Sequence, residues 1–270
     1  MAIMGVVLFV IGCAMLVVRR SQQAKLSEMM ATETSTAAKL LETAKYVTER
    51  MGRTGSFRQV AELKGTIKCE SPLTSEIAKE PCVYYLSTVS REYEETCWET
   101  DPDTKEQVEK TQRKSEDVSN NEQRVRFWVE DATGRTQIDP GGAQVDAIKV
   151  VDRFEEGEQV EQGAEINFGG FGFHFAVSGG SNSNTRTLGY KFQESILPLD
   201  RPVYLLGEVS DSSGTLLVHQ PAEKGKKFVI STKSEEALLR SAGSAIQWLL
   251  IGGIGLDVIG LVLIAIGLIR

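Results

Sequence analysis

Apolar residues concentrate at the two ends of the chain and become sparse between them. Residues 2–18 contain no charged side chain, and residues 245–269 contain one, Asp257. As helices these runs would measure about 26 and 38 Å, against a hydrocarbon core of about 30 Å. The pattern therefore predicts two transmembrane helices, residues 1–18 and 245–269, with a more polar region between them.

The first run also invites comparison with a cleaved signal peptide. Signal peptides carry basic residues before the apolar run and a small-residue cleavage site after it. Here no basic residue precedes the run, and Arg19 and Arg20 follow it directly. We therefore expect an uncleaved anchor.

Basic residues lie at the end of each apolar run that joins the central region. Those near the spans are Arg19, Arg20, Lys25, Lys224, Lys226, Lys227, Lys233 and Arg240. Lys and Arg beside a span favour the cytoplasmic side of the membrane. We expect an integral membrane protein whose central domain is cytoplasmic, with the periplasmic or intermembrane side as the alternative.

Small residues and one carboxylate share a helical face in these runs. The candidate packing residues are Gly5 and Gly12 in the first run, and Gly253, Asp257, Gly260 and Gly267 in the second. Small residues let membrane helices approach closely, whereas a charge at the helix centre costs about 2.5–3.5 kcal/mol. The pattern favours helix packing, within one chain or in a homo-oligomer; proton or ion transport through Asp257 is the alternative.

The spacing of apolar residues in the central region changes from a helical to a strand-like pattern near residue 57. Helical periodicity over 21–55, with cap candidates Ser35 and Thr36, predicts a juxtamembrane helical linker at 19–56. From 57 to 236, short β-forming runs alternate with turns, which is typical of a mainly β domain, an antiparallel barrel or sandwich. The charged stretch 92–124 is either a long hairpin arm or a loop. The predicted strands are 60–68, 82–89, 124–130, 134–138, 147–151, 171–177, 203–209, 216–218 and 228–230.

Four phenylalanines form an unusual cluster at Phe168, Phe171, Phe173 and Phe175. Their alternation predicts a strand with one face buried in the core. An exposed aromatic loop that contacts lipid or a partner protein is the alternative.

The composition and motif spacing limit which ligands and reactions the chain can support. The net charge is -7, which argues against a nucleic-acid partner. The chain has four cysteines and two histidines and no zinc-type spacing, hydrolase elbow or phosphate-binding loop. We therefore expect no catalytic residue, metal or cofactor. Pairing among Cys69, Cys82 and Cys97 stays open.

A series of short motifs resembles a known family. The motif residues are Gly65, Pro72, Leu73, Cys82, Tyr85, Phe127, Asp131, Gly134, Tyr204 and Gly207. In this order, between two apolar runs, they resemble the GIDE or BAM ("beside a membrane") domain of mitochondrial and chloroplast RING-type ubiquitin ligases and their bacterial relatives. The resemblance covers roughly residues 63–234 together with the flanking spans.

The resemblance implies that the chain is a member of the GIDE family that lacks the catalytic RING. In eukaryotic members a RING after the second span recruits the ubiquitin-conjugating enzyme, and this sequence has too few cysteines and histidines for a RING. It implies a bacterial-type member whose domain binds, senses or scaffolds near the lipid bilayer, with unidentified protein partners. The alternative is a component of a ubiquitin-ligase-type system in which a separate subunit carries the RING. In mitochondrial relatives the domain lies in the intermembrane space, opposite to the basic-residue prediction.

Overall fold

A computed structural model describes ten stretches of the chain: 2–31, 34–53, 55–100, 105–156, 165–168, 171–174, 184–212, 214–223, 225–233 and 235–269. They divide into two compact units. The first unit combines Met1–Lys68, Trp128–Asp146 and Arg201–Arg270, and the second combines Cys69–Phe127 and Ala147–Asp200. The domain predicted at 57–236 thus extends over parts of both units.

The described residues form three helices: α1 (Ala2–Ala31), α2 (Ala37–Met51) and α3 (Glu235–Ile269). Segments Ile3–Ser21 of α1 and Ile246–Ile266 of α3 are long and apolar enough to cross a membrane. Helices α1 and α2 cover most of the range 21–55 that was predicted to be helical, but a short strand, Thr34–Ser35, lies between them.

The caps of α2 explain its limits. The Thr36 side chain accepts a hydrogen bond from the Lys39 amide, and Gly52 ends the helix with a φ of 66°. A residue with a positive φ at the helix end favours glycine, which has no Cβ to clash.

Fifteen strands lie in the ten described stretches. In chain order they are β1 (Thr34–Ser35), β2 (Arg58–Lys68), β3 (Leu73–Thr74), β4 (Pro81–Thr100), β5 (Gln107–Arg124), β6 (Phe127–Asp131), β7 (Gly134–Ile138), β8 (Gln144–Asp146), β9 (Ile148–Glu156), β10 (Glu165–Phe168), β11 (Phe171–His174), β12 (Thr185–Pro198), β13 (Pro202–Ser210), β14 (Leu217–His219) and β15 (Val229–Ser231).

The first unit contains a closed barrel. Strands follow the order β2-β6-β7-β14-β13, and β13 pairs back with β2 to close the ring. Strand β13 is buried from Val203 to Ser210, which explains its nearly continuous apolar sequence. Leu63, Leu205 and Val218 are each at most 1% exposed and belong to the core. The barrel alternative of the sequence prediction is therefore confirmed for this unit.

The main sheet of the second unit has five strands. Its order is β3-β4-β12-β9, with β5 alongside β4. The stretch 92–124 is a hairpin arm, since β4 and β5 pair from Tyr84↔Arg124 to Thr100↔Gln107. The apolar core includes Val89, Tyr190 and Phe192.

The side chains of all four clustered phenylalanines lie outside what the structure describes, so their burial stays a prediction. The backbones of β10 and β11 form an antiparallel pair in which Phe168 is opposite Phe171. Phe173 belongs to β11, and Phe175 lies outside the described residues.

Candidate functional site

A groove beside α2 is an opening in the first unit. It has a volume of about 560 Å³ and is bounded by α2, the β6–β7 hairpin and the segment before β14. Leu41, Trp128 and Leu216 supply apolar surface, while Lys45 and Arg135 supply positive charge. We call this opening the α2 groove.

Trp128 faces the groove because of strand alternation. Its neighbours Phe127 and Val129 are 1% and 2% exposed, so the side chain between them lies on the opposite face of β6. The Arg135 guanidinium lies 4.5 Å from the centre of the Trp128 ring. This cation–π contact holds a flat apolar surface and a positive charge side by side.

Asp131 fixes the beginning of α2 to the β6–β7 turn. Its Oδ2 accepts a hydrogen bond from the Ala37 amide at 2.8 Å, and its Oδ1 accepts from the Thr133 and Gly134 amides at 2.6 and 3.0 Å. The Thr133 hydroxyl accepts from the Ala38 amide at 3.1 Å. Burial alone would raise the pKa of Asp131, but hydrogen bonds from the Thr133 hydroxyl and from the Ala37, Thr133 and Gly134 amides together hold it below its usual range.

Asp211 fixes the far end of the same helix. It accepts hydrogen bonds from the Thr48 hydroxyl at 3.2 Å and from the Gly55 and Phe57 amides at 3.0 and 2.9 Å. The pKa of Asp211 is also lowered, because these donors outweigh the opposing effect of burial. The wall of the groove is thus anchored at both ends by carboxylates.

A third carboxylate joins the strand before α2 to the barrel. Glu62 is 1% exposed and accepts hydrogen bonds from the Thr34 hydroxyl at 2.5 Å and the Tyr204 hydroxyl at 3.1 Å. Lys64 lies 3.2 Å from the same carboxylate. Because a buried charge is costly unless it is paired, these contacts allow Glu62 to occupy the core.

The second unit contains a similar buried carboxylate. Glu194 is fully buried and accepts from the Ile77 and Ala78 amides, both at 2.7 Å, and from the Ser87 hydroxyl at 2.6 Å. Burial, and then the nearby Glu194 charge, raise the pKa of the Cys82 thiol to about 11. Both features indicate a structural role, because an unreactive thiol and a saturated carboxylate have little capacity for catalysis.

Helices α1 and α3 bring the predicted packing residues together. A Cβ on Gly5 would lie 2.7 Å from the Gly260 carbonyl oxygen, and one on Gly12 would lie 2.8 Å from the Gly253 carbonyl oxygen and overlap the Asp257 carboxyl. The Cys13 thiol lies 4.0 Å from Asp257 Oδ1. Glycine is therefore needed where the two backbones touch. Gly267 lies further along α3.

Ser210 and His219 form a serine–histidine contact in the barrel. The Ser210 hydroxyl lies 2.8 Å from His219 Nε2, but Ser210 is 1% exposed. His219 Nδ1 lies 2.8 Å from the Gln220 carbonyl, and Glu208 Oε1 lies 3.9 Å from Nε2. In a catalytic triad the acid orients the other ring nitrogen and the serine is accessible. The contact is consistent with packing rather than with nucleophilic catalysis.

The sequence profile of the GIDE family, described as an E3 ubiquitin ligase, matches residues 98–265 of the 270. The chain belongs to the GIDE family. No curated protein and no solved structure matches it. The matched range includes the β6–β7 wall of the α2 groove and all but the last residue of the candidate membrane span in α3, whereas α2 itself precedes it.

Several residues of the predicted family motif have structural roles in the fold. A Cβ on Gly65 would lie 2.5 Å from the Glu130 carbonyl oxygen, and one on Gly207 would lie 2.8 Å from the Phe228 ring. Leu73 pairs with Cys82 across β3 and β4, and Tyr85 packs with Cys82. Pro72 lies just before β3, and Gly134 lines the groove. Gly134, one of these motif residues, therefore belongs to the β6–β7 turn at one end of the groove.

Other groove residues were not predicted as functional. Leu41, Lys45 and Arg135 belong to no recognisable motif, and helix periodicity alone places Leu41 in the apolar stripe of α2. Trp128 is the groove residue that sequence reasoning could have singled out. It is a large aromatic side chain that points outward from β6, between the buried residues Phe127 and Val129. Cys69, Cys82 and Cys97 are free thiols.

Proposed function

We propose that this GIDE-family protein is a two-span membrane protein whose β-rich region is a non-catalytic binding and scaffold module. The observation that supports the proposal is the α2 groove. It combines exposed apolar surface with a wall whose two ends are held by Asp131 and Asp211. A site of this kind is preorganised, so it loses little conformational freedom when a ligand binds.

The lining of the groove favours one class of ligand. Leu41 is 47% exposed and Trp128 offers a ring face, so apolar side chains fit here. Lys45 and Arg135 place positive charge at the same opening, and Glu42 contributes one negative charge. The proposed ligand is a partner protein's segment with an apolar side chain next to an acidic one.

The membrane orientation is part of the proposal. Basic residues at both junctions with the β-rich region favour the cytoplasmic side, and the periplasmic or intermembrane side is the alternative. The spans in α1 and α3 hold the module at the lipid bilayer, and their glycine contacts support pairing within one chain.

A photoreactive amino acid in the groove tests the binding site. Placed at Leu41 in native membranes, it is expected to crosslink a partner protein, and the crosslink should weaken severalfold when Trp128→Ala is added. Tyr46 is the matched control position, because it lies on the same helix, is 55% exposed and is not part of the groove lining. Equal adducts from Leu41 and Tyr46, or no effect of Trp128→Ala, would contradict the proposal.

The alternative function places the module in a ubiquitin-ligase-type system. The description of the GIDE profile as an E3 ubiquitin ligase supports it. In this version a separate RING-bearing subunit performs the transfer and the α2 groove recruits it. Affinity purification should then recover a RING-bearing or ubiquitin-conjugating protein with the natural sequence but not with Trp128→Ala. Recovery that is equal for both would exclude the groove from this role.

A further inference from the structure

Strand β5 forms an edge of the sheet in the second unit. It pairs with β4 on one side, and among the described residues no strand pairs with its other side. Its middle part, residues 113–117, reads Arg-Lys-Ser-Glu-Asp, and all five residues are exposed. We call these five residues the edge segment. An unpaired edge strand is a template for another strand.

Ser115 divides the edge segment into a positively charged half, Arg113 and Lys114, and a negatively charged half, Glu116 and Asp117. If two copies pair antiparallel with Ser115 opposite itself, Arg113 meets Asp117 and Lys114 meets Glu116. Each of these pairs occurs twice. A two-residue shift places Lys114 or Glu116 opposite itself, and parallel pairing in register places every charge opposite itself. Opposite charges stabilise a cross-strand pair and like charges destabilise it.

We propose that the edge segment pairs with the edge segment of a second copy of this chain, antiparallel and centred on Ser115. The occupant is a second copy because the sequence of the segment is complementary to itself. This interface is separate from the α2 groove and from the membrane helices.

Ion pairs already present within the hairpin extend naturally into this interface. Arg91 lies 3.2 Å from Glu116, and Glu94 lies 3.6 Å from Arg113. Lys114 pairs with Glu95. The proposed pairing extends the first of these contacts into a row across four strands: Arg91 and Glu116 of one copy, then Lys114 and Glu95 of the other. The signs alternate along the row, so each added neighbour is attractive.

The structure also limits the length of the interface. The register between β4 and β5 shifts after the pair Ser90↔Asp117, because Val89 pairs with Ser119 and Val118 is left over. Such a bulge interrupts regular pairing. Regular pairing is therefore confined to the five residues of the edge segment. An interface this short and this charged should weaken as salt increases.

Cysteine crosslinking tests the register in the full-length protein in membranes. Ser115→Cys places two thiols opposite each other across the symmetry axis, and mild oxidation should give a covalent dimer severalfold above the background of the natural sequence. Thr111→Cys is the matched control, because it lies four residues from Ser115, so the two copies of this position would be about 27 Å apart at about 3.4 Å per residue. Comparable crosslinking of the two variants, or none with Ser115→Cys, would overturn the proposal.

Charge reversal tests the pairing without a new thiol. Arg113→Glu with Lys114→Glu, and separately Glu116→Lys with Asp117→Lys, should each reduce the dimer fraction of the detergent-solubilised protein measured by light scattering. Mixing the two variants should restore dimers, because each then meets opposite charges. A dimer that survives both reversals would place the contact elsewhere, for example in the membrane helices. Failure of the mixture to restore dimers would also contradict the proposal.

Discussion

At the scale of single residues, carboxylates organise this protein. Asp131 and Asp211 hold the ends of α2, while Glu62 and Glu194 bind hydroxyls and main-chain amides inside the two units. Each carboxylate replaces water with protein donors, and such charge-assisted hydrogen bonds are stronger than neutral ones. The sequence motif identified Asp131, but it did not reveal that its partner would be a helix 94 residues away.

Replacing Asp131 should destabilise the first unit in a pH-dependent way. In Asp131→Asn an amide group faces the Ala37 N–H, which loses its acceptor, and the free energy of unfolding at pH 7 should fall by about 2 kcal/mol. Because the pKa of Asp131 is lowered in the folded protein, its stabilising effect is present above the unfolded-state pKa of about 3.9.

That effect is lost as the pH falls through the folded-state pKa, so the difference between variant and natural protein should narrow below about pH 4. Denaturant unfolding in detergent at several pH values, followed by tryptophan fluorescence, measures the difference in free energy of unfolding between variant and natural protein. Glu49→Gln, on the exposed face of α2, is the control and should change little. A difference that stays constant with pH would contradict the assigned role of Asp131.

Glu194 should control access to Cys82. The Cys82 thiol is fully buried and its pKa is raised to about 11, so at pH 8 it should react with maleimide far more slowly than the partly exposed Cys97. Glu194→Gln turns one acceptor into a donor. If this costs about 1.4 kcal/mol of local stability, Cys82 should react about tenfold faster. Unchanged Cys82 labelling, with Cys97 as the internal reference, would contradict this role.

At the scale of elements, the glycine contacts determine how α1 meets α3. Gly5, Gly12 and Gly260 each lie where a Cβ would be within 3 Å of the opposite backbone. In lipid, helix association depends on close packing rather than on the hydrophobic effect. These glycines are therefore the positions where the helix pair is most sensitive to substitution.

A disulfide between the helices can report on that packing. Asp257→Cys should form an intramolecular bond with Cys13, since Cys13 lies 4.0 Å from the Asp257 carboxyl oxygen. Adding Gly12→Val should abolish the bond by separating the helices. Gly255→Val should leave it intact, because a Cβ there meets no atom within 4 Å. Equal effects of the two valines would mean that the helices pack through another face.

The elements that the sequence predicted well are those with an uninterrupted pattern. The turn at Asp131–Gly134 is followed by β7, which has the predicted bounds Gly134–Ile138, and β13 differs from its prediction by one residue at each end. Strand β12 was missed. Its buried face contains Tyr190, Phe192, Glu194 and Ile196, and the charged residue interrupts the apolar alternation. Only the loop amides and the Ser87 hydroxyl, which are distant in sequence, explain why a carboxylate can occupy that position.

At the scale of the whole molecule, the chain alternates between its two units. It builds the first unit from three separate stretches and the second from two. Local patterns predicted a mainly β region between two apolar helices, and this is the observed architecture. They could not predict the α2 groove, whose walls come from residues 37–45, 128–137 and 215–216. Such long-range pairings depend on tertiary contacts that periodicity does not encode.

We propose that the two apolar helices span a membrane and hold the β-rich region at its cytoplasmic face. Cys97 is the natural probe, because it is partly exposed whereas Cys82 is buried. The protein should stay with membranes in alkaline carbonate. A membrane-impermeant maleimide should label Cys97 in inverted vesicles and leave it unlabelled in intact cells. Release by carbonate, or labelling of Cys97 from outside intact cells, would contradict the account.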